Sequence, residues 1–442
     1  MKGMTKCCQR KIHARKAAQG RWDKHNDDVQ IPCADPTMMA ISNYENGSTY
    51  TKSKRILAAQ GMASPPKTTY YRYQKKVGNS IIELAKESMR EEANKMTSNS
   101  SISCDGAYAH RRNSSQCHGV FVDCKTKKIV AGSVVTKARK DGDFLGASNM
   151  METEVVKRNL EQIDRTKVKQ FVHDQDNKIG NLVEKSVQGV DEKIDPNHGK
   201  KIFLRFWNKL VDGAFRTIYK VNDYAVSAVR YLTAIQYKKM FHGLKKHTQD
   251  WFNCLLYDKE MDNNNKKESW QNVEMHVLNN HSRCNHLEKK SFIWKNGLKY
   301  PELQNDFHHF VLASSVAFEK IDPNLHTNIN ESIHSETSKI ADKNTAWSKD
   351  GYESRVYYSY LKHNKPDECF MLIRNKNKVQ VNDVDRQCIE ETISERNYYR
   401  TKRSTKEYKK KDALRRKDYK ESMKSKPGDY IGIPYSVLND NE

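Results

Sequence analysis

Three acidic residues that lie far apart in the sequence could together bind divalent metal ions. Asp105 lies in the segment SISCDGAYAH, Asp174 in KQFVHDQDNK and Glu331 in TNINESIHS. The first two lie in or directly after runs typical of β-strands, whereas Glu331 opens a segment with a helical pattern. Carboxylates are the ligands that Mg²⁺ and Mn²⁺ prefer, and two such ions promote in-line displacement at phosphorus. The trio therefore predicts metal-dependent phosphoryl transfer.

Each of these residues also has a purely structural interpretation. Asp105 and Gly106 could form an ordinary turn, and Asp174 could cap the helix that NKIGNLVEKS predicts. Glu331 could lie on a solvated helical face. Asp176 competes with Asp174 for the role of second ligand, because both lie in HDQD. The position directly after the predicted strand favours Asp174.

The charge balance predicts a polyanionic partner. Lysine and arginine number 78 against 55 acidic residues, which gives a formal charge of +23 over 442 residues. Such an excess favours nucleic acid or an anionic membrane. No run approaches the roughly 18 apolar residues of a membrane span, and MKGMTKCCQRKIHARK lacks the apolar core of a signal peptide. We therefore expect nucleic acid as the partner, and the ten scattered cysteines predict reduced thiols in the cytosol or nucleus.

The elements around the acidic residues predict an α/β fold. SISCDGAYA, HGVFVDC and KKIVAGSVVTK have the pattern of an antiparallel meander, followed by a helix in METEVVKRNLEQI, a strand in VKQFVHD and a helix in NKIGNLVEKSV. The order β-β-β-α-β-α is that of an RNase H-like core with a mixed sheet. In such a sheet the first and fourth strands are neighbours, so Asp105 and Asp174 are expected to lie close together.

The remaining segments are predicted to flank or interrupt this core. The predicted regions are a basic arm (1–50), a helical unit (51–98), the catalytic core (99–345), an all-helical insertion (about 200–300) and a helical, basic C-terminal region (346–442). The unit at 51–98 is either a helix-turn-helix that binds DNA or a helical strut before the core. In the first case Arg72, Lys75 and Lys76 would face DNA.

The segment 396–426 contains 14 lysines and arginines and four acidic residues. It is predicted to be a basic helix or a disordered tail. Its candidate DNA contacts are Lys402, Arg403, Lys409, Lys410 and Lys411. A nuclear-import signal or a solvated face would have the same composition, and we expect the nucleus as the location.

A second metal site is predicted from the segment VEMHVLNNHSRCNHLEKK. Imidazole and thiolate are good Zn²⁺ ligands, and this segment concentrates four of them: His276, His281, Cys284 and His286. Cys254 is a candidate additional ligand for a structural zinc. The alternative is a polar loop without metal. His198 and Lys201 are candidates for contact with DNA or the active site, and a surface loop is the alternative for them.

Several of these motifs, in order, resemble Mutator-like transposases. The resemblance lies in CDGAYAHRRNSSQCHGVFVDCKTKKIV, SNMMETEVVKRNLEQI, FVHDQDNKIGNLV, IDPNHGKKI and TNINESIHSETSKIADK, which together cover roughly 100–345. It implies an RNase H-like transposase in which Asp105, Asp174 and Glu331 bind two Mg²⁺ or Mn²⁺ ions. Such an enzyme cuts DNA and joins its 3′ ends to target DNA. It also implies assembly as a homodimer on paired DNA ends.

Two departures from the family pattern bear on activity. The segment KARKDGDFLGAS has no Cys-x-x-Cys element, and the N-terminal DNA-binding region is short. These departures keep open a catalytically inactive or domesticated protein that binds DNA without cutting it. A host nuclease of the same fold, which would cut without joining ends, is a third interpretation.

Overall fold

The computed structural model describes residues 32–110, 113–174, 176–214, 233–280, 282 and 293–424. At the centre of the core lies a five-stranded mixed sheet with the spatial order β3-β2-β1-β4-β5. The strands are β1 (Ser100–Tyr108), β2 (Gln116–Asp123), β3 (Ile129–Thr136), β4 (Val168–His173) and β5 (Asp191–Ile194). The first three pair antiparallel, whereas β4 runs parallel to both β1 and β5. The meander and β4 are as predicted from the sequence.

The helices are numbered along the chain. Before the sheet lie α1 (Pro36–Glu45), α2 (Tyr50–Ala59) and α3 (Lys67–Asn94). Between the strands lie α4 (Met151–Leu160) and α5 (Asn177–Ser186). After β5 come α6 (Pro196–Val211), α7 (Ala234–Met240), α8 (Leu244–Tyr257), α9 (Asn263–Gln271), α10 (Val273–Val277), α11 (Lys295–Lys299) and α12 (Pro301–Lys320). The last are α13 (Asn328–Ile340), α14 (Lys349–Asn364), α15 (Cys369–Lys376), α16 (Asp383–Ser404) and α17 (Lys406–Lys424).

The sheet carries helices on both faces because successive strand residues point to opposite sides. Helix α4 covers one face, where a Cβ built on Gly119 would lie 2.8 Å from Val155. Helix α13 contacts β1 and β2 on the other face, where the Ser103 hydroxyl donates to Asn330 Oδ1 at 2.7 Å. Ser103 and Asp105 therefore face α13 and not α4. This alternation decides which side chains can meet Glu331.

Strand β5 was not predicted from the sequence. Its four residues, DEKI, are mostly charged, and only Ile194 is fully buried. An edge strand of this kind has little apolar patterning, because backbone pairing with the neighbouring strand stabilises it more than burial of its own side chains does. The parallel register of β5 with β4 places Ile194 beside His173.

Helices α6–α12 include the region where a helical insertion was predicted, at about 200–300, and have an aromatic core of their own. Phe203 stacks on Trp207 with ring centroids 6.0 Å apart, and both rings pack edge-on against Phe310. Phe252 and Trp270 belong to the same cluster. The insertion is therefore stabilised by burial of large rings rather than by contact with the sheet alone.

The N-terminal helices pack onto the core. Helix α3 is a 28-residue helix that packs along α14 and against β3. The fully buried Arg355 on α14 donates to the carbonyls of Asn43 and Ser48, at 2.9 and 2.6 Å. The break between α2 and α3 falls at Gly61 and the Pro65–Pro66 pair. Because of this packing, α3 also serves as a structural layer of the core.

The chain divides into two compact units, Met1–Asn377 and Lys378–Glu442. The described part of the second unit consists of α16 and α17, which contact each other. The basic segment predicted as a helix or a disordered tail is helical through Lys424 in the described residues.

Candidate active site

Asp105 and Asp174 lie level with each other on neighbouring parallel strands. Ser103 of β1 is paired with Val172 of β4, and Asp105 and Asp174 each lie two residues further along. Asp105 belongs to the ladder between β1 and β2, opposite Val120, so it is not part of a turn. Asp174 directly follows the last residue of β4. Strand pairing alone therefore brings together two residues that are 69 positions apart in the sequence.

Glu331 reaches this edge of the sheet from the first turn of α13. The preceding residue, Asn330, is completely buried and fixes the helix to the sheet. Its Oδ1 accepts a bond from the Ser103 hydroxyl at 2.7 Å, and its Nδ2 donates to the carbonyls of Ser103 and Val120 at 3.3 and 3.2 Å. Glu331 and Asp105 consequently line the same open cleft of about 430 Å³.

Asp195 links the helical insertion to the helix that carries Glu331. Its Oδ1 accepts the Asn197 N–H at 2.7 Å and so caps α6. Its Oδ2 accepts the N–H and the hydroxyl of Thr327, the N-cap residue of α13, at 2.7 and 3.0 Å. Asp195 is fully buried. One carboxylate therefore sets the positions of two helix N-termini beside the site.

The carboxylates of the site repel one another. Burial raises the pKa of Asp105 to about 8, and the charges of Asp174, Glu152 and Glu331 contribute to this rise. Burial also raises the pKa of Asp174, while His198 and Lys201 act in the opposite direction. Crowded carboxylates of this kind are stabilised by a bound cation, which cancels their charge. Carboxylate oxygens are also the ligands that hard divalent metal ions prefer.

The acidic side chains contact protein partners in this structure. Asp105 Oδ1 accepts the N–H of Gly106 at 2.8 Å, and Asp174 Oδ1 lies 3.0 Å from His198 Nε2. Lys201 Nζ lies 3.1 Å from the same ring nitrogen of His198. Over the described ranges, no three His, Cys, Asp or Glu side chains are close enough to hold a metal ion.

Asp176 has a separate structural role. Its carboxylate accepts the N–H of Lys178 at 2.8 Å and caps α5. The cap considered for Asp174 from the sequence is thus supplied by Asp176.

Glu152 is a site residue that the sequence interpretation missed. It lies in the first turn of α4, where the helix dipole favours an acidic residue. It is close to Gly106, where an added Cβ would lie only 2.7 Å from Glu152 Cγ. Burial raises the pKa of Glu152, and the charges of Asp174 and Asp176 raise it further. The glycine after Asp105 was the available signal, because it makes room for an approaching side chain.

The predicted zinc ligands are only partly described. His281, Cys284 and His286 lie outside the described residues. His276 is buried on α10, where its ring stacks on His247 at 5.3 Å and packs edge-on against Trp251. Cys254 is an exposed free thiol. The structural zinc stays a prediction, which metal analysis of the purified protein would test.

The predicted DNA contacts lie in three places. On α3, Arg72 and Lys76 are exposed, and Lys75 is paired with Asp350 at 3.0 Å. His198 and Lys201 lie beside Asp174, as described above. The third set is exposed on α16 and α17 of the C-terminal unit: Lys402, Arg403, Lys409, Lys410 and Lys411. None of the described helices is both long and apolar enough to cross a membrane.

The fold and the site define a basic, mixed α/β protein with clustered carboxylates at one edge of its sheet. Residues 37–291 match the family model for Mutator-like transposases, so the chain belongs to this family, as the resemblance predicted. The match includes Asp105 and Asp174 and ends before Glu331. No curated protein was found to match the chain. Membership implies a DNA-binding protein with a nuclease-type activity in general.

Proposed function

We propose that this protein is a DNA transposase that cuts DNA and joins the 3′ ends to target DNA through Asp105, Asp174 and Glu331. An RNase H-like fold is part of this proposal. The strand order β3-β2-β1-β4-β5, with an antiparallel meander followed by two parallel strands, supports it.

One observation carries the proposal. Parallel pairing brings Asp105 and Asp174 to the same level of adjacent strands, and the buried Asn330 fixes the helix that carries Glu331 on the same face as Asp105. Asp105 therefore lies beside the end of the strand that Asp174 follows, and it lines one cleft together with Glu331. Carboxylates held near one another repel, which costs stability, so their proximity supports a role beyond solvation.

The carboxylates of Asp105, Asp174 and Glu331 would hold two Mg²⁺ or Mn²⁺ ions. Such ions supply an activated oxygen nucleophile and stabilise the charge of the leaving oxygen. Lys343 lines the same cleft as Asp105 and Glu331 and is exposed. Its ammonium group would bind a phosphate of the DNA backbone and offset the negative charge that approaches the site.

The partners belong to the same proposal. The protein would bind double-stranded DNA at the element ends and at the target, as a homodimer in the nucleus. The exposed lysines of α16 and α17 support the contact with the phosphate backbone. Nuclear import through the same basic segment is a further expectation.

The deciding experiment is nicking of an end-labelled DNA duplex in Mn²⁺, with wild type, Asp174→Ala and Asp176→Ala side by side. We expect the first variant to abolish nicking. The second should lose only the cap of α5 and retain nicking, since Asp176 already has a structural role. Nicking that is lost only in Asp176→Ala would assign the second ligand to that residue instead.

Two other outcomes would change the proposed function. Tight, salt-sensitive DNA binding without cleavage in Mg²⁺ or in Mn²⁺ would indicate an inactive or domesticated DNA-binding protein. Cleavage without joining of the 3′ ends to a target duplex would indicate a nuclease of the same fold. A strand-transfer assay with pre-cut ends separates the last outcome from transposition.

A further inference from the structure

One face of α6 presents positive charge to solvent. The helix contains four lysines and arginines and no acidic residue. Its opposite face is buried in the aromatic core of the insertion, through Phe203 and Trp207 among others. Lys201, Arg205 and Lys209 are exposed and follow one another at intervals of four residues. Because side chains four residues apart lie above one another, these three cations form a line along the helix, which we call the α6 track.

The cations of the α6 track keep their charge available to another anion. Among the described residues, none of the three forms an ion pair with an aspartate or a glutamate. Arg205 Cζ and Lys209 Nζ instead lie over the ring of Phe206, 5.1 and 5.3 Å from its centroid. Lys201 Nζ lies 3.1 Å from His198 Nε2. A contact with an aromatic ring orients a cation without neutralising it.

The α6 track begins at the candidate active site. Asp195 caps the helix, and His198 Nε2 in its first turn lies 3.0 Å from Asp174 Oδ1. Lys209 follows His198 by eleven residues, which at 1.5 Å per residue is about 16 Å along the helix axis. One DNA strand has a phosphate about every 3.4 Å along the duplex axis, so this length spans roughly five nucleotides. A strand held at Asp174 therefore has the three cations within a few nucleotides of the site.

The chemistry of this face favours a phosphate backbone over a protein partner. Protein interfaces are built around apolar and aromatic anchors. The exposed large apolar side chains of the described residues include none on α6. A line of lysine and arginine at a spacing of about 6 Å suits a linear polyanion.

We propose that Lys201, Arg205 and Lys209 bind the phosphate backbone of one DNA strand as it leaves the candidate active site, independently of base sequence. The position of this strand beside the cut rests on the proposed function, whereas the contact with DNA does not. Contacts with phosphates fix the register of a duplex and carry no sequence information. The α6 track thus holds the DNA in place relative to Asp174.

The first test is the salt dependence of binding to a DNA duplex without divalent metal, so that no cleavage is needed. Each cation that binds a phosphate contributes about one unit to the slope of log affinity against log salt. Lys201→Gln, Arg205→Gln and Lys209→Gln, combined in one protein, should therefore lower the slope by about three units. At 0.1 M salt the affinity should fall by roughly 100-fold or more. An unchanged slope, or a wild type that does not bind DNA at low salt, overturns the α6 track.

A matched control removes the same charge from lysines that already have carboxylate partners. These lysines lie on or beside α14 and α15 and are paired with glutamates at 2.7, 2.9 and 3.1 Å: Lys362, Lys365 and Lys376. Their combined replacement by glutamine should leave the slope within about one unit of wild type. An equal fall in both variants would show that net charge alone governs binding, which also overturns the α6 track.

A charge-retaining variant separates contact with phosphate from packing within the protein. Lys201→Arg, Arg205→Lys and Lys209→Arg together keep three cations on the same face and should keep the wild-type slope. A slope as low as that of the glutamine variant would show that these side chains act through packing and would contradict the proposal.

Nicking assays test where the DNA lies. Arg205→Gln with Lys209→Gln should raise the DNA concentration for half-maximal nicking by roughly tenfold or more at 0.1 M salt. The maximal rate should change by no more than a few-fold, because neither cation touches the reacting atoms. An unchanged half-maximal concentration overturns the placement of the α6 track beside the cut. If the wild type binds DNA with the expected salt dependence and does not nick it, the proposed function fails and the α6 track stands.

Discussion

Replacement of Asp195 should loosen the helix that carries Glu331 without any change in the carboxylates of the site. Asp195→Ala removes the cap of α6, which costs about 0.5–2 kcal/mol. It also leaves the buried N–H and hydroxyl of Thr327 without their acceptor, which costs about 1–3 kcal/mol. The two losses share one carboxylate and are not fully additive, so we expect a total of about 2–4 kcal/mol. Metal-dependent nicking should fall as well, because Glu331 follows Thr327 by only one helical turn.

The assay is urea unfolding followed by circular dichroism, alongside nicking under conditions in which the variant remains folded. Asp262→Ala is the matched control, because Asp262 caps α9 through Asn265 N–H at 2.9 Å and contacts no second helix through that bond. This control should lose about 1 kcal/mol and retain nicking. If Asp195→Ala loses no more stability than the control, the link between α6 and α13 is not energetically significant and the reasoning is refuted.

Three further predictions follow from the same geometry. Because the folded pKa of Asp105 is raised from 3.8 to about 8, its contribution to stability is present at low pH and is lost as the pH rises through about 8. Without metal, Asp105→Asn should therefore become increasingly more stable than wild type as the pH rises from about 4 to about 8, as measured by thermal unfolding. The same dependence of unfolding temperature on pH in both proteins would contradict this. Gly106→Ala should displace Glu152 and cost about 1 kcal/mol of overpacking, and an unchanged metal requirement for nicking would argue against a role for Glu152. Replacement of Lys409, Lys410 and Lys411 by glutamine should lower the slope of log affinity against log salt by about three, one for each phosphate contact, and an unchanged slope would exclude this segment from the DNA interface.

Local patterns in the sequence were sufficient for most of the core elements. Short β-prone runs separated by polar turns identified β1, β2 and β3, and the helical spacing of Val155, Val156 and Leu160 identified α4. β5 was missed because DEKI has no alternation of its own and depends on pairing with β4. The role of α3 as a layer of the core was also missed. Nothing in its basic sequence shows that α14, more than 250 residues later, covers one of its faces.

The sequence by itself determined the residue types and the secondary-structure contexts of Asp105, Asp174 and Glu331, because these depend on local periodicity and on neighbours along the chain. Their convergence depended on the tertiary structure. Parallel pairing of β1 with β4 and the bonds of Asn330 to β1 and β2 join residues that are far apart in sequence. The same holds for Asp195 and Glu152. Hydrogen bonds and electrostatic repulsion act over a few ångströms, so they appear only once the fold has placed these side chains together.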